Sequence, residues 1–228
     1  AVDGVTFDIL KGEVLVVAGE SGCGKTTAGR CILHLEAPTD GTVFYAGQDM
    51  STLDRNEMKE LRKRMQITFQ DPYESLNPKQ SISGIVEEPL TVHKIPLSPS
   101  QRRERVLEAL ESVALTPAED YIDRYPHELS GGQRQRISVA RALILHPEFM
   151  VADEPVSMLD VSIRAEILNL LLQLRKDLGL TYLFITHDLA VATYIADRIA
   201  IMYLGKIMEI GPAHDVAFSP EHPYTRAL

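Results

Sequence analysis

The chain carries the stretch Gly19-Glu20-Ser21-Gly22-Cys23-Gly24-Lys25-Thr26, which matches the phosphate-binding pattern G-x-x-x-x-G-K-[ST]. The apolar run Val14–Ala18 before it predicts a buried strand, and the residues after it, through about Leu35, predict a helix. This order of strand, glycine-rich loop and helix is the context in which the pattern binds phosphate. A chance glycine-rich turn is the alternative, and this context disfavours it.

The residue types in this loop suit the binding of a nucleotide. Glycines let the backbone turn its N–H groups toward a phosphate, and the helix N-terminus adds its positive end. We expect Lys25 to place its charge on the outer phosphates and the Thr26 hydroxyl to ligate Mg²⁺. The predicted nucleotide-binding set therefore runs from Gly19 to Thr26 and continues to Thr27.

The composition restricts the class of protein. The chain has 228 residues, 45% of them apolar and 24% charged, as expected for one large globular domain. Its net charge of −9 argues against a nucleic-acid binder, which needs clustered Lys and Arg. Because there is no apolar run of membrane-spanning length and no signal-peptide pattern, we expect a cytosolic protein that works at a membrane only through a partner. Cys23 and Cys31 are expected to be free thiols.

The remaining elements predict an α/β fold. Further strands are predicted over 1–10, 42–45, 65–69, 148–153, 181–186, 198–203 and 206–210. Further helices are predicted over 53–64, 82–92, 101–114, 136–145, 161–178 and 189–196. Strands that alternate with helices favour a mostly parallel sheet, and the N-terminal hairpins favour an antiparallel β flank. The fold expected is that of a P-loop NTPase.

The middle of the chain differs in character from its ends. From about 71 to 146 the sequence predicts helices and no good strand. We therefore expect a single domain over 1–228, with an α/β core over 1–70 and 147–228 and a helical subdomain inserted between the two parts.

Two adjacent acids, Asp153 and Glu154, end an apolar strand far downstream of the loop. Such acids lie at the carboxyl edge of the sheet, where open α/β sheets bind their ligands. One carboxylate can hold Mg²⁺ through water, and the next can take a proton from an attacking water. An ordinary strand-end acid is the alternative, and the phosphate loop weighs against it.

A second anion site is predicted where Leu129-Ser130-Gly131-Gly132-Gln133 begins a helix that runs to Leu145. A serine and two glycines at a helix start expose N–H groups to an anion. A monomer has one triphosphate to bind, so a second phosphate site needs a reason.

In order and spacing, these segments resemble the ATP-binding subunit of an ABC transporter over the whole chain. The matching segments are Gly19–Thr26, Gln70, Leu129–Gln133, Asp153-Glu154, 157–160 and His187. The phosphate loop is shared by many NTPases, whereas the Leu-Ser-Gly-Gly-Gln signature about twenty residues before Asp-Glu-Pro is specific. The stretches 70–78, 153–157 and 219–225 resemble the oligopeptide/dipeptide branch, which includes nickel and glutathione importers.

The resemblance implies catalytic and metal-binding roles for matched residues. Lys25 and the loop amides would hold the phosphates of ATP. Thr26, Gln70 and Asp153 would ligate Mg²⁺, and Glu154 would polarise the attacking water.

The resemblance also explains the second anion site. His187 would contact the γ-phosphate, and Asp160 would lie at the interface between two subunits. The signature residues Ser130, Gly131, Gly132 and Gln133 would close over the ATP held by the other subunit. Two chains would therefore sandwich two nucleotides head to tail.

The function implied is ATP hydrolysis that drives import of a peptide-type substrate. The implied partners are a second ATP-binding subunit, transmembrane permease subunits and, indirectly, a substrate-binding protein, with this chain peripheral on the cytoplasmic side of the membrane. One alternative is a DNA-repair or chromosome ABC ATPase, but the interval from Lys25 to Leu129 has no long coiled coil or zinc module. Another is a regulatory ATP-binding module, which intact Glu154 and His187 argue against.

The segment 70–78 is predicted to couple ATP hydrolysis to transport. Gln70 can reach the metal, while Tyr73, Glu74 and Leu76 lie at the start of the helical region. A loop between two subdomains can act as a hinge whose motion passes to a docked membrane helix. A plain linker is the alternative.

Overall fold

The computed structural model describes residues 1–71 and 75–228. The predictions for Tyr73 and Glu74 lie outside the described residues. The strands are β1 (Val14–Ala18), β2 (Phe44–Tyr45), β3 (Gln48–Asp49), β4 (Met65–Thr68), β5 (Phe149–Asp153), β6 (Thr181–Thr186), β7 (Arg198–Tyr203) and β8 (Lys206–Pro212). The α-helices are α1 (Lys25–Ile32), α2 (Arg55–Arg64), α3 (Ile82–Val92), α4 (Pro99–Ser112), α5 (Glu119–Ile122), α6 (Gly131–Leu143), α7 (Val161–Leu178), α8 (Leu189–Ile195), α9 (Ala213–Phe218) and α10 (Pro223–Ala227).

A six-stranded sheet organises the fold, in the order β4-β5-β6-β1-β7-β8. The first five strands are parallel, and β8 closes the edge antiparallel to β7. A separate antiparallel pair joins β2 to β3. The predicted mostly parallel α/β sheet with an antiparallel flank is confirmed.

Both faces of the sheet are covered, which explains why its central strands are almost wholly apolar. Along β1, Val14 and Val16 enter one core, with the helical residues Ile82 and Ile137. Leu15 and Val17 point to a second core, which includes residues of α2. This alternation follows from the two-residue period of a strand.

Several helix ends are set by local chemistry. Asp54 caps α2 in a reciprocal arrangement with Glu57. The long helix α7 ends at Gly179, whose φ of 67° is the left-handed conformation that glycine adopts without strain. None of the helices within the described ranges has the length and apolarity that crossing a membrane requires.

The described residues from 75 to 146 contain helices α3 to α6 and no strand. Helix α3 packs on α4 and α6. Leu110 of α4 and Ile137 of α6 lie in the same apolar core as Phe184 of the sheet. The helical character of this region agrees with the sequence, and its division from the core as a subdomain stays a prediction.

One predicted strand is missing from the structure, and the bounds of several other elements differ from those predicted. The strand predicted over 1–10 is wrong: Val5, Phe7 and Ile9 pack on the second core, but the segment belongs to neither sheet. Helix α1 ends at Ile32 rather than near Leu35, since His34 has a φ of 52°. The strand predicted over 42–45 is reduced to Phe44–Tyr45.

Candidate nucleotide site

The phosphate loop connects β1 to α1, as predicted. Three of its glycines have positive φ: 151° at Gly19, 81° at Gly22 and 107° at Gly24. A Cβ at Gly19 would collide with the backbone oxygen of Met202, and a Cβ at Gly24 with that of Ala1. Glycine is therefore required at these two positions for both conformation and space. Glu20 and Ser21 are exposed, so this part of the loop is open to solvent.

The ammonium group of Lys25 is held inside the loop. The residue is 5% exposed, and its Nζ donates to the carbonyl oxygens of Gly19 and Glu20, each at 2.8 Å. In the described part of the chain no carboxylate forms an ion pair with it. Its other contact in the described chain is the Cys23 sulphur at 3.9 Å. A buried cation without an opposite charge beside it fits an anionic ligand, because a phosphate would supply the countercharge.

The end of β5 meets the start of α1. The Thr26 hydroxyl donates to Asp153 Oδ1 at 3.0 Å, and Asp153 is 5% exposed. Burial raises the pKa of the Asp153 carboxyl, the hydrogen bond from Thr26 opposes that rise, and the charge of Glu154 adds to it. A hydroxyl and a carboxylate, with the amide oxygen of Gln70 as a further candidate, form the oxygen donor set that suits Mg²⁺.

Two side chains contact the same carboxylate oxygen of Glu154. Gln70 Nε2 donates to Glu154 Oε2 at 3.1 Å, and His187 Nδ1 lies 3.0 Å from the same atom. His187 Nδ1 can donate to this oxygen in the tautomer that carries its proton on Nδ1. Glu154 is 9% exposed, whereas the side chain of His187 is half exposed.

The strand order explains why these residues meet. Gln70 follows β4, Glu154 follows β5 and His187 follows β6, and the phosphate loop follows β1. These four strands are consecutive neighbours and parallel, so their carboxyl ends share one edge of the sheet. This edge is where open α/β sheets bind ligands.

The signature residues form a second group at the start of α6. Ser130 Oγ accepts the N–H of Gln133 at 3.3 Å, and Gln133 Oε1 accepts the N–H of Ser130 at 3.0 Å. A Cβ at Gly132 would lie 2.6 Å from Ile163 Cγ2, so α6 and α7 approach closely at this glycine. Asp160, the exposed residue before α7, makes no side-chain cap to that helix.

The two groups are separate within this chain. Gly131, at the start of α6, packs near Leu159. Leu159 directly precedes Asp160, so the signature lies close to Asp160 at the start of α7. Among the described residues, no hydrogen bond joins Ser130–Gln133 to the phosphate loop. Lys25, Thr26, Gln70, Asp153, Glu154 and His187 are the predicted residues that the sheet edge brings together. Thr27 follows in the first turn of α1 and is partly buried.

Sequence reasoning missed the support behind the loop. Gly205 donates its N–H to the carbonyl of Cys23 at 2.9 Å, and Gly19 packs on Met202. These contacts join positions far apart in sequence. The sequence offered two signals: Gly205 at the turn of the predicted hairpin, and the stretch 219–225, which resembles the oligopeptide/dipeptide branch.

Comparisons with known families, proteins and solved structures agree on one family. The family model for ABC transporters matches residues 2–157. The oligopeptide transport ATP-binding protein OppF of Bacillus subtilis is 51% identical, over all of this chain and 74% of its own length. A putative peptide import ATP-binding protein of Brucella ovis is 55% identical over all of this chain and 71% of its own.

Two solved structures share the fold. One is CbiO1 of Clostridium perfringens, part of an ABC transporter complex, with a TM-score of 0.84, 29% identity and coverage of 95% of this chain and 83% of that one. The other is an ATP-binding cassette solved as a post-hydrolysis dimer with ADP and Pi, with a TM-score of 0.81, 32% identity and coverage of 93% and 90%. By its sequence, its fold and the residues at its sheet edge, the chain belongs to the ABC transporter family.

Proposed function

We propose that this chain is the ATP-hydrolysing subunit of an importer for peptide-type substrates. One observation carries the proposal: the Glu154 carboxylate is fixed between Gln70 and His187 at the sheet edge that also holds the phosphate loop. The names of the relatives, which describe peptide, oligopeptide and dipeptide transport, support the substrate class.

The loop residues bind and orient the triphosphate. The N–H groups of the loop and the start of α1 face an anion, and Lys25 supplies the positive charge. Thr26, Asp153 and Gln70 would hold Mg²⁺, which when bound neutralises charge on the phosphates. The hydrogen bond between Thr26 and Asp153 already brings two of these ligands together.

Glu154 activates the attacking water. Its carboxylate takes the proton as the water oxygen bonds to the γ-phosphorus and the bond from that phosphorus to the bridging oxygen of ADP breaks. The contacts from Gln70 and His187 to Oε2 fix the orientation of the carboxyl group. Because His187 is half exposed, it can reach the γ-phosphate from the solvent side.

A second subunit completes each site. The signature at Ser130–Gln133 is a separate group from the phosphate loop, and Ser130 is exposed. A head-to-tail dimer would bring the signature of one subunit over the nucleotide of the other. The related cassette that was solved as a dimer with ADP and Pi supports this arrangement.

Import across a membrane would also involve partner subunits. We propose transmembrane permease subunits, with this chain peripheral on their cytoplasmic side, and a substrate-binding protein that delivers the cargo. Residues 71–146 would form the helical subdomain, and 1–70 with 147–228 the nucleotide-binding core. The segment 70–78 between them would couple the two functions.

Phosphate release from Mg-ATP tests the proposal. Glu154→Gln should lower turnover by about 10²–10⁴-fold, as expected for loss of a positioned base, while ATP binding is kept. Glu60→Gln is the matched control, since that carboxylate is exposed on α2 and pairs only with Lys63. If Glu154→Gln turns over ATP at the parent rate, the proposed role of Glu154 is wrong.

A further inference from the structure

The phosphate loop rests on the turn between β7 and β8. Gly19 is in tight contact with the backbone of Met202, the penultimate residue of β7. Gly205 donates its N–H to the Cys23 carbonyl at 2.9 Å. Gly19 and Cys23, at the two ends of this part of the loop, therefore both contact the segment 202–205. The position of that segment consequently determines the position of the loop.

Helix α10 places a tyrosine ring against the same segment. Tyr224 of α10 packs against Tyr203, with ring centroids 4.3 Å apart and an interplanar angle of 35°. Ring pairs at this separation contribute about 0.5–1.5 kcal/mol beyond the area that they bury. Tyr203 lies between Met202 and Gly205, so the ring of Tyr224 packs against the segment 202–205 that supports the loop.

The hydroxyl of Tyr224 lies against the loop itself. Its oxygen is buried, and the described residues offer it no hydrogen-bond partner. Burial raises the pKa of this hydroxyl, and the charges of Glu20 and Cys23 add to the rise. Glu20 and Cys23 therefore lie near this hydroxyl, and the carbonyl of Glu20 accepts Lys25 Nζ at 2.8 Å.

Helix α10 is anchored to the sheet by one carboxylate. Glu209 of β8 accepts the N–H of Glu221 at Oε1, at 2.9 Å, and that of His222 at Oε2, at 3.1 Å. His222 Nδ1 in turn accepts the N–H of Tyr224 at 3.1 Å and caps the helix. The orientation of Tyr224 therefore depends on Glu209.

We propose that Tyr224 is a positioning residue for the phosphate loop, and that helix α10, clamped by Glu209, thereby sets the affinity of the loop for ATP. The proposal rests on the ATP binding proposed above. The ring of Tyr224 packs on Tyr203 and so holds the 202–205 segment, on which Gly19 and Cys23 rest. This support keeps Lys25 and the loop amides in the geometry that receives phosphate.

The test measures ATP binding by titration of the full chain, in a Glu154→Gln background so that nucleotide is not consumed. Tyr224→Phe, which keeps the ring and removes a hydroxyl without a hydrogen-bond partner, is the matched control and should leave ATP binding within about twofold. Tyr224→Leu, which also removes the ring contact, should weaken it by about tenfold or more. Tyr194→Phe is the control, since that exposed hydroxyl donates to Asn169 on the surface.

Two further readouts separate positioning from mere support of the fold. In the catalytically intact chain, Tyr224→Leu should raise KM for ATP and leave kcat within about twofold, because the loop and not Glu154 is affected. Glu209→Ala should weaken ATP binding in the same direction as Tyr224→Leu. The double variant should add little to either single change, since both act through one contact chain.

The outcomes distinguish this inference from the proposed function. If Tyr224→Leu and Glu209→Ala fold and bind ATP with the parent Kd, the positioning role is wrong while ATP binding stands. If the parent chain itself does not bind ATP, both the proposed function and this inference are wrong. Should Tyr224→Leu fail to fold, Glu209→Ala still decides the question, because it releases helix α10 and leaves the ring unchanged.

Discussion

Thr26 donates its hydroxyl hydrogen to Asp153 at 3.0 Å, across 127 positions of sequence. This contact joins the first turn of α1 to the carboxyl end of β5, and so connects the phosphate loop with the acidic strand end. It also leaves Asp153 buried beside Glu154, a second carboxyl group. The pair is therefore arranged for a cation and is unfavourable without one.

The burial of Asp153 beside Glu154 should lower the thermal stability of the nucleotide-free chain at neutral pH. Burial, the largest cause, raises the pKa of Asp153, so the folded state favours the protonated carboxyl. The stability from this group is therefore full below the unfolded pKa and is lost as pH rises through the folded pKa. Asp153→Asn should accordingly raise Tm at pH 7, and the gain should shrink as pH falls toward about 3.9.

Thermal unfolding at several pH values, without nucleotide or metal, checks this expectation. Asp160→Asn is the control, because Asp160 is exposed and caps nothing with its side chain. The same Asp153→Asn variant should lose most of the stabilisation that Mg-ATP gives the parent. A lower Tm for Asp153→Asn at pH 7 would contradict the argument.

Removal of the Lys25 ammonium should affect both binding and folding. Lys25→Ala should weaken ATP binding by at least about tenfold, because the only buried cation of the loop is lost. It should also destabilise the free chain by about 1–3 kcal/mol, since the carbonyls of Gly19 and Glu20 lose their donor. Calorimetric titration and denaturant unfolding measure the two effects, with the exposed Lys176→Ala as the control. Unchanged ATP affinity in Lys25→Ala would rule out the predicted role.

Two serines in matching helix caps offer a controlled test of the dimer. Ser130 and Gln133 form a reciprocal cap at α6, and Ser98 and Gln101 form the same cap at α4. Ser130→Ala and Ser98→Ala should each cost about 1 kcal/mol of stability, because each loses one capping bond.

Only Ser130→Ala should reduce association with Mg-ATP, since only that hydroxyl is proposed to face the partner's nucleotide. Light scattering in the Glu154→Gln background measures the dimer. Equal dimerisation of the two serine variants would mean that Ser130 acts solely as a helix cap.

Local sequence was sufficient for the central strands. The bounds of β1 and β6 match the prediction to the residue, because the apolar run Val14–Ala18 and the β-branched and aromatic run Thr181–Thr186 suit strands that are buried on both faces. The bounds of α7 also match the prediction to the residue, and Gly179 ends this helix. The segment 1–10 failed because an alternating apolar pattern shows which residues reach the core and does not show whether the backbone has a strand partner.

The site needed more than local sequence. The spacing of Gln70, Glu154 and His187 resembles that of a known family, but their contact depends on the order β4-β5-β6 in the sheet. Nothing in any one of these segments specifies its neighbours. The contact of Tyr224 with the loop support was out of reach for the same reason, because it joins helix α10 to a turn through a ring pair.

The backbone at Glu154 has a φ of 46°, a conformation that glycine accepts and a glutamate resists. At this position the requirements of folding and of chemistry are in conflict. A glycine here would relieve about 1–2 kcal/mol of left-handed strain and remove a carboxyl group buried beside Asp153. Glu154→Gly should therefore melt at a higher temperature than the parent and hydrolyse no ATP. The proposed role of Glu154 as the base that activates water would account for a glutamate at this strained position.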